Sequence, residues 1–164
     1  MKTDNVEFRV GFGVDYHCLV PARKLILGGV AIPYEKGLLG HSDADVLIHS
    51  LCDALLGAAS LGDIGRHYPP SDMRYKDISS MALLEDVIFK LSQKGWSLNN
   101  ADLTLVAEKP KIALYVPKMI ENIANMCEVE IHRINIKATT SEGMGFTGRE
   151  EGMTAYSVAT IKSA

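Results

Sequence analysis

Asp15 and His17 stand two residues apart in Gly11-Phe12-Gly13-Val14-Asp15-Tyr16-His17, and His49 closes the run Asp43-Ala44-Asp45-Val46-Leu47-Ile48-His49. One carboxylate and two imidazoles suit zinc, and three protein ligands leave a fourth position for water or substrate. Phe8, Val10 and Phe12, continued by Val14 and Tyr16, alternate as a strand, so Asp15 and His17 project from one face. His49 falls on a predicted helix. The pattern is that of a working zinc site, open at one position, in contrast to a closed structural one. Asp-x-His also occurs in chains without a metal, and a helical histidine also serves as a core or cap residue. The surrounding residues therefore carry weight.

On the same predicted helix Asp45, His49 and Asp53 recur at i, i+4 and i+8 and share a face. They form either a polar edge or a supporting set in which one aspartate accepts the second N–H of His49. Further on, Thr139-Thr140-Ser141-Glu142 places three hydroxyls and a carboxylate at a strand end, with Lys137 and Arg149 flanking. Such a group suits phosphate and a hard divalent ion such as Mg2+. Thr139 and Glu142 have capping-box spacing, but no helical pattern follows. Gly143-Met144-Gly145-Phe146-Thr147-Gly148 matches the dinucleotide glycine pattern, yet only 16 residues remain after Gly148. A Rossmann unit needs more chain than that. What survives is a turn whose amides and Arg149 meet an anion, or a plain hairpin turn. His41-Ser42-Asp43 has the residue types of a hydrolase triad without the nucleophile elbow. Cys52, His67 and His132 read as structural.

These groups need a scaffold. The pattern predicts strands over residues 7–14 and 24–32, the second interrupted by Gly28-Gly29, then a helix over 43–59 with Ser42 as N-cap. Residues 62–78 read as a long irregular segment, a lid or functional loop. A helix over 80–94 ending at Gly95, a strand over 98–108, a helix over 113–127 and strands over 131–139 and 153–162 complete the order. The expected class is α+β, a mixed β-sheet with helices packed on one side. Residues 102–107 and 152–159 alternate only partly, so the other sheet face is expected to pack against further subunits.

The chain has 164 residues, enough for one domain spanning 1–164 with its own core. It is 47% hydrophobic and 23% charged, with a net charge of -3 and no basic run, which argues against a nucleic-acid surface. Cys18, Cys52 and Cys127 are three widely spaced residues, read as reduced, buried thiols of a cytoplasmic protein. The first residues show no signal pattern, and no apolar run is long enough for a membrane span.

Taken together, the residues resemble the 2-C-methyl-D-erythritol 2,4-cyclodiphosphate synthases of the non-mevalonate isoprenoid pathway. The resemblance rests on Arg9-x-Gly-x-Gly-x-Asp15-x-His17, Gly28-Gly29-Val30, Ile32-Pro33-Tyr34-Glu35-Lys36-Gly37-Leu38, and His41-Ser42-Asp43-x-Asp45-Val46 with His49. It continues through Asp53-Ala54-Leu55-Leu56-Gly57-Ala58, Leu61-Gly62-Asp63-Ile64-Gly65, Pro110-Lys111, Lys137-Ala138-Thr139-Thr140, and Gly145-Phe146-Thr147-Gly148-Arg149 with Glu151-Gly152. The matches run in family order over nearly the whole chain.

The resemblance implies cyclisation of 4-diphosphocytidyl-2-C-methyl-D-erythritol 2-phosphate with release of CMP. It implies one Zn2+ per subunit on Asp15, His17 and His49, and Mg2+ or Mn2+ held at the substrate diphosphate by Glu142. His41 and Ser42 would meet the phosphates, with His41 and Thr140 as catalytic positions, and Asp63 and Gly65 would lie near the methylerythritol part. Ala107, Pro110, Lys111 and Leu114, with Thr139 and Thr140, would form the cytidine side. The family is a homotrimer with active sites at subunit interfaces, and Phe146 and Arg149 would lie near its axis. Where the family carries Asp-Thr-Asp after Tyr68-Pro69, this chain has Pro70-Ser71-Asp72, and Asp72 is the residue left to contact substrate. The alternatives are a zinc phosphohydrolase with the same ligands and a non-catalytic nucleotide-binding trimer.

Overall fold

A computed structural model of the chain describes residues 6–163. The signal-pattern reading concerns mainly residues 1–5, which lie outside the described residues. The first strand, β1 (Phe8–Pro21), runs well past the alternating segment that announced it and carries Asp15 and His17 in its second half. It pairs antiparallel with β7 (Gly152–Ser163), placing Asp15 opposite Ala155 and His17 opposite Met153. β7 pairs in turn with β5 (Trp96–Val106), and β5 runs parallel to β6 (Ile134–Thr139). With β4 (Lys36–Leu38) on the far side of β1, the five-stranded sheet has the order β4-β1-β7-β5-β6. It is a mixed sheet, as expected for the α+β class.

Three helices cover one face: α1 (Val46–Ala58) on β1 and β7, α3 (Ser80–Ser92) against α1 and β5, and α4 (Val116–Met126) on β6. Leu47, Leu51, Leu55 and Leu56 of α1 are fully buried. At about 1.5–3 kcal/mol for each such side chain, they anchor the helix independently of any ligand. The approach of α1 to β1 is unusually close because the strand presents Gly11 and Gly13 to it. A Cβ on Gly13 would lie 1.9 Å from the Ser50 carbonyl oxygen, and one on Gly11 would lie 1.8 Å from that of Ala54. Gly11, Gly13, Asp15 and His17 share one face by the two-residue period of a strand. The same face that admits the helix backbone thus carries the two ligand candidates.

Several local expectations are corrected. The interrupted strand over 24–32 is a hairpin of β2 (Leu25–Leu27) and β3 (Val30–Ile32), because Gly28 and Gly29 both take positive φ (57° and 71°). That conformation reverses the chain in a two-residue turn. The N-cap of α1 is Asp45, not Ser42: its carboxylate accepts from Ile48 N at 3.2 Å. The segment over 62–78 contains the short helix α2 (Ile64–His67) and a 3-10 turn over Met73–Tyr75. The strand expected from residue 131 opens with a 3-10 turn over Ile131–Arg133. The glycine-rich turn includes a helical turn, α5 (Gly145–Gly148), although the sequence shows no helical pattern there. Cys52 and Cys127 are buried as expected, whereas Cys18 is exposed.

The sheet face away from the helices is apolar along one strip. Phe8, Val10, Phe12 and Tyr16 of β1 and Val158 of β7 are exposed, Val10 to 67%. Phe12 sits opposite Val158 and stacks on Tyr156 with centroids 6.3 Å apart. Among the described residues no helix is long and apolar enough to cross a membrane.

Candidate metal centre and neighbouring cavities

The close seating of α1 on β1 brings His49 over the strand. Asp15 Oδ2 lies 3.0 Å from His17 Nε2 and 3.1 Å from His49 Nδ1, and the two imidazole nitrogens are 3.3 Å apart. These are three donor atoms converging on one point. Among the described residues, Asp15, His17 and His49 are the one group of three potential ligands found close enough to share an ion. Two nitrogens and one oxygen, part-buried and open on one side, fit an ion such as zinc better than an all-oxygen ion such as calcium.

The outer nitrogen of His17 is held from outside the cluster. His17 Nδ1 lies 2.7 Å from the Leu39 carbonyl oxygen, which only accepts, so Nδ1 carries a proton and Nε2 is the nitrogen left to ligate a metal once the ring is neutral. His49 Nε2 lies 3.1 Å from Ser42 Oγ and 2.9 Å from Ser80 Oγ. The expectation that Asp45 or Asp53 supports His49 is therefore corrected. Asp45 Oδ1 accepts from Gly28 N at 3.0 Å and its Oδ2 from Gly29 N at 2.7 Å, tying the β2–β3 turn to the start of α1. Asp53 accepts from Ile64 N at 2.7 Å and fixes α2. Ser80 had no signal of its own in the sequence, since it is one of many serines and sits 31 residues from His49.

The charges are arranged for cation binding. Burial alone would raise the Asp15 carboxyl, but hydrogen bonds from His17 and His49, and their positive charge, hold it down at about 2. Burial opposes protonation of His17, yet the neighbouring Asp15 carboxylate raises its pKa above the ordinary imidazole value. Without a metal, the aspartate's charge is thus balanced by a proton on His17. Burial pushes Asp45 up to about 6, against the pull of its backbone N–H donors.

The cluster lines a cavity of about 220 Å3 whose wall also includes His41, Ser42, Gly65, Tyr68 and Pro70. Arg23 Nη2 donates to the Gly40 carbonyl at 3.1 Å, and the His41 carbonyl accepts from Asp77 N at 2.8 Å, so the 40–42 loop is sewn in on both sides. Asp63 and Asp72 are not part of the wall. Asp63 caps α2 through Arg66 N at 3.0 Å, and Asp72 pairs with Arg74 while its carbonyl lies 3.3 Å from His41 Nε2.

A second cavity of about 450 Å3 gathers Ala107, Pro110, Lys111, Thr139 and Thr140, and it shares no residue with the first. The parallel pairing of Val106 with Thr139 brings these distant segments together. Leu114 does not line this cavity and is 90% exposed. Glu142, at positive φ, accepts from Thr140 Oγ1 at 3.2 Å and lies outside the three-donor cluster. The turn is held by Glu108, which accepts from Ser141 N at 2.9 Å and Ser141 Oγ at 3.1 Å. Those bonds, first the one from the Ser141 amide, lower the Glu108 pKa. Its signal was a carboxylate at the end of one strand, facing a hydroxyl run at the end of another. Phe146 lies tilted over Tyr16 at 6.1 Å, in a third cavity of about 300 Å3. The Arg149 guanidinium, expected to meet an anion, is engaged by Glu151 at 2.9 and 3.0 Å.

A mixed sheet covered on one side by helices, with an open three-donor cluster at a cavity wall, defines an α+β protein with a site that could hold a metal ion. Residues 8–162 match the YgbB family. The chain belongs to that family, the 2-C-methyl-D-erythritol 2,4-cyclodiphosphate synthases. It is 60% identical over 154 residues to the synthase of Desulforamulus reducens, covering 94% of this chain and 98% of that one. It is 54% identical over 154 residues to the synthase of Geobacter metallireducens, again over 94% and 98%. Among solved structures, the bifunctional IspDF of Campylobacter jejuni superposes with a TM-score of 0.94 at 44% identity, over 98% of this chain and 43% of that one. IspF of Plasmodium falciparum in a CDP complex gives 0.84 at 28%, over 95% and 96%.

Proposed function

We propose that this protein converts 4-diphosphocytidyl-2-C-methyl-D-erythritol 2-phosphate into 2-C-methyl-D-erythritol 2,4-cyclodiphosphate and CMP, an intramolecular phosphoryl transfer of a cyclising phosphorus–oxygen lyase. The observation that carries the reading is the convergence of Asp15, His17 and His49 on the cavity that also presents His41 and Ser42. An oxygen of the substrate's 2-phosphate attacks the β-phosphorus of the diphosphate. The bond from that phosphorus to the bridging oxygen breaks, and CMP leaves with the electron pair. The nucleophile is already an anion, so no strong protein base is needed. The obstacles are charge repulsion and the freedom of a flexible molecule.

The residues address both. Asp15, His17 and His49 would hold Zn2+, one per subunit, and Glu142 would help hold Mg2+ or Mn2+. Bound divalent ions neutralise the diphosphate and offset charge developing on the leaving CMP. His41 and Ser42 would bind phosphate oxygens, with Asp63, Gly65 and Asp72 along the methylerythritol side. Ala107, Pro110, Lys111 and Leu114, with Thr139 and Thr140, would seat the cytidine, and Thr140 would reach the phosphates. Holding both ends of one molecule turns its cyclisation into a high-effective-concentration event.

The two cavities share no wall, which supports a site assembled from two copies: the metal end from one, the nucleotide end from its neighbour. The exposed apolar strip on the open sheet face supports a homotrimer whose sheets pack together, with Phe146 and Arg149 toward the axis. The CDP in the Plasmodium falciparum relative supports a cytidine nucleotide as the ligand class. The chain is read as one domain acting in the cytoplasm, without nucleic-acid or membrane partners.

Mass spectrometry of products tests this, after incubation of the protein with the substrate, Zn2+ and Mg2+. CMP with a cyclic diphosphate is the expected result. CMP with an open-chain bisphosphate would make the protein a hydrolase, and untouched substrate would make it a binding protein.

A further inference from the structure

We infer that Ser80 and Asp43 form a proton-acceptor relay that orients His49 and sets its strength as a metal ligand; the inference rests on the metal reading above. The Asp43 carboxylate accepts from the Ser80 amide at 2.8 Å through Oδ2 and contacts the Ser80 hydroxyl through Oδ1. A carboxylate has no proton to give, so the Ser80 hydroxyl donates to Asp43. The Ser80 oxygen then faces His49 Nε2, 2.9 Å away, with lone pairs only. The favourable arrangement puts the proton on Nε2. That leaves Nδ1, at 3.1 Å from Asp15 Oδ2 and 3.3 Å from His17 Nε2, with its lone pair directed into the cluster.

The relay is built rigidly. Ser80 is fully buried at the first turn of α3, and Asp43 also accepts from the Asp45 amide at 3.2 Å, so neither partner is free to turn away. The two imidazoles are consequently oriented by different means. His17 binds through Nε2 because a backbone carbonyl takes its Nδ1 proton, and His49 binds through Nδ1 because the relay takes its Nε2 proton. A carboxylate behind the hydroxyl makes the second acceptor stronger, which holds the His49 ring more firmly in the ligating tautomer and orientation.

A consequence reaches the substrate side. Ser42 Oγ receives the Ala44 amide at 3.2 Å and lies 3.1 Å from His49 Nε2, whose single proton it shares with Ser80 Oγ. With those two donors at its lone pairs, its own proton is left for an acceptor in the cavity. An anionic oxygen there would be that acceptor. Ser80 is a positioning residue, and Ser42 is the hydroxyl that its relay leaves available.

The test compares metal binding by the wild-type chain, Ser80→Ala, Asp43→Asn and Ser50→Ala. Ser50 controls for loss of a buried hydroxyl on α1, because its Oγ meets Ser157 Oγ at 2.6 Å and the Leu47 carbonyl at 3.0 Å and bonds none of the three ligand candidates. Zinc affinity is read by chelator competition, and Co2+-loaded protein is read by its visible absorption. The expected result is roughly a 10-fold or greater loss of zinc affinity in Ser80→Ala and Asp43→Asn, within the 10–100-fold range for outer partners of a ligand. The cobalt bands of both should move, while Ser50→Ala should match the wild type in both readouts. Wild-type affinity and an unmoved cobalt spectrum in folded Ser80→Ala would overturn the relay alone. An equal loss in Ser50→Ala would overturn it too, by making the effect one of packing. A wild-type chain that takes up neither ion would overturn the metal reading and the relay with it.

Discussion

Gly13 of β1 and Ser50 of α1 are in direct backbone contact: a Cβ on the glycine would stand 1.9 Å from the serine carbonyl oxygen. This contact decides the height of α1 above the sheet, and with it the distance of His49 from Asp15 and His17. Gly13→Ala should therefore act on stability and on the metal centre together. Overpacking of this kind costs about 1–3 kcal/mol, and more where backbone must move. Urea unfolding should show the loss, and chelator competition should show weaker zinc binding, although no ligand has been altered. Unchanged zinc affinity in the folded variant would mean that the helix height does not govern the site.

His49→Ala separates ligand from scaffold. The buried leucines of α1 do not depend on the imidazole, so the far-ultraviolet circular dichroism should match the wild type. Zinc affinity should fall by more than ~100-fold, beyond what loss of an outer partner causes. An unfolded variant would show instead that the cluster is a structural staple.

Protonation should drive metal-free and metal-loaded protein in opposite directions with pH. His17 has a raised pKa in the folded, metal-free chain, through its ion pair with Asp15. The stabilisation from this pair is fully present below the unfolded imidazole value, about 6.5. It is lost as pH rises through the higher folded value. Asp15, down at about 2, stays ionised throughout, and its own contribution disappears only as pH falls toward that value. Zinc needs neutral imidazoles, so its affinity should rise over the same interval in which the metal-free form loses this term. Thermal unfolding at pH 5.5 and 8, with and without zinc, checks the sign. Calorimetric titration in buffers of different ionisation heat should show proton release on zinc binding below about pH 7.

Phe12→Glu tests the assembly. Phe12 is exposed beside Val158 and touches none of the three cavities. A charge in the apolar strip should convert the proposed trimer to monomers in sedimentation velocity. Zinc should still bind, because all three ligand candidates belong to one chain, while turnover should be lost because the proposed site takes its nucleotide end from a neighbour. A fully active monomer would show that one chain completes the site by itself.

Much of the site is legible before any tertiary contact forms. Asp15 and His17 point the same way because a strand repeats every two residues, and His49 follows from the apolar stripe of α1. Gly11 and Gly13 share that face, but that they leave it bare for α1 shows only in the fold. The residues expected on a cytidine side follow from family resemblance alone, and the parallel pairing of β5 with β6 brings most of them to one cavity.

Tertiary structure decided what supports those residues. From the sequence Ser42 is the expected cap and Asp45 a polar edge or a support for His49, yet in the fold Asp45 caps α1 through Ile48 N and also takes the Gly28 and Gly29 amides. Ser80 became the partner of His49 only because α3 packs on α1, and Glu108 grips the 141–143 turn only because two strand ends meet. Local periodicity determines the direction of a side chain on its own element, since that direction is a property of backbone geometry. The identity of what it meets depends on how distant elements close upon one another, and for that closure there is no local period to read.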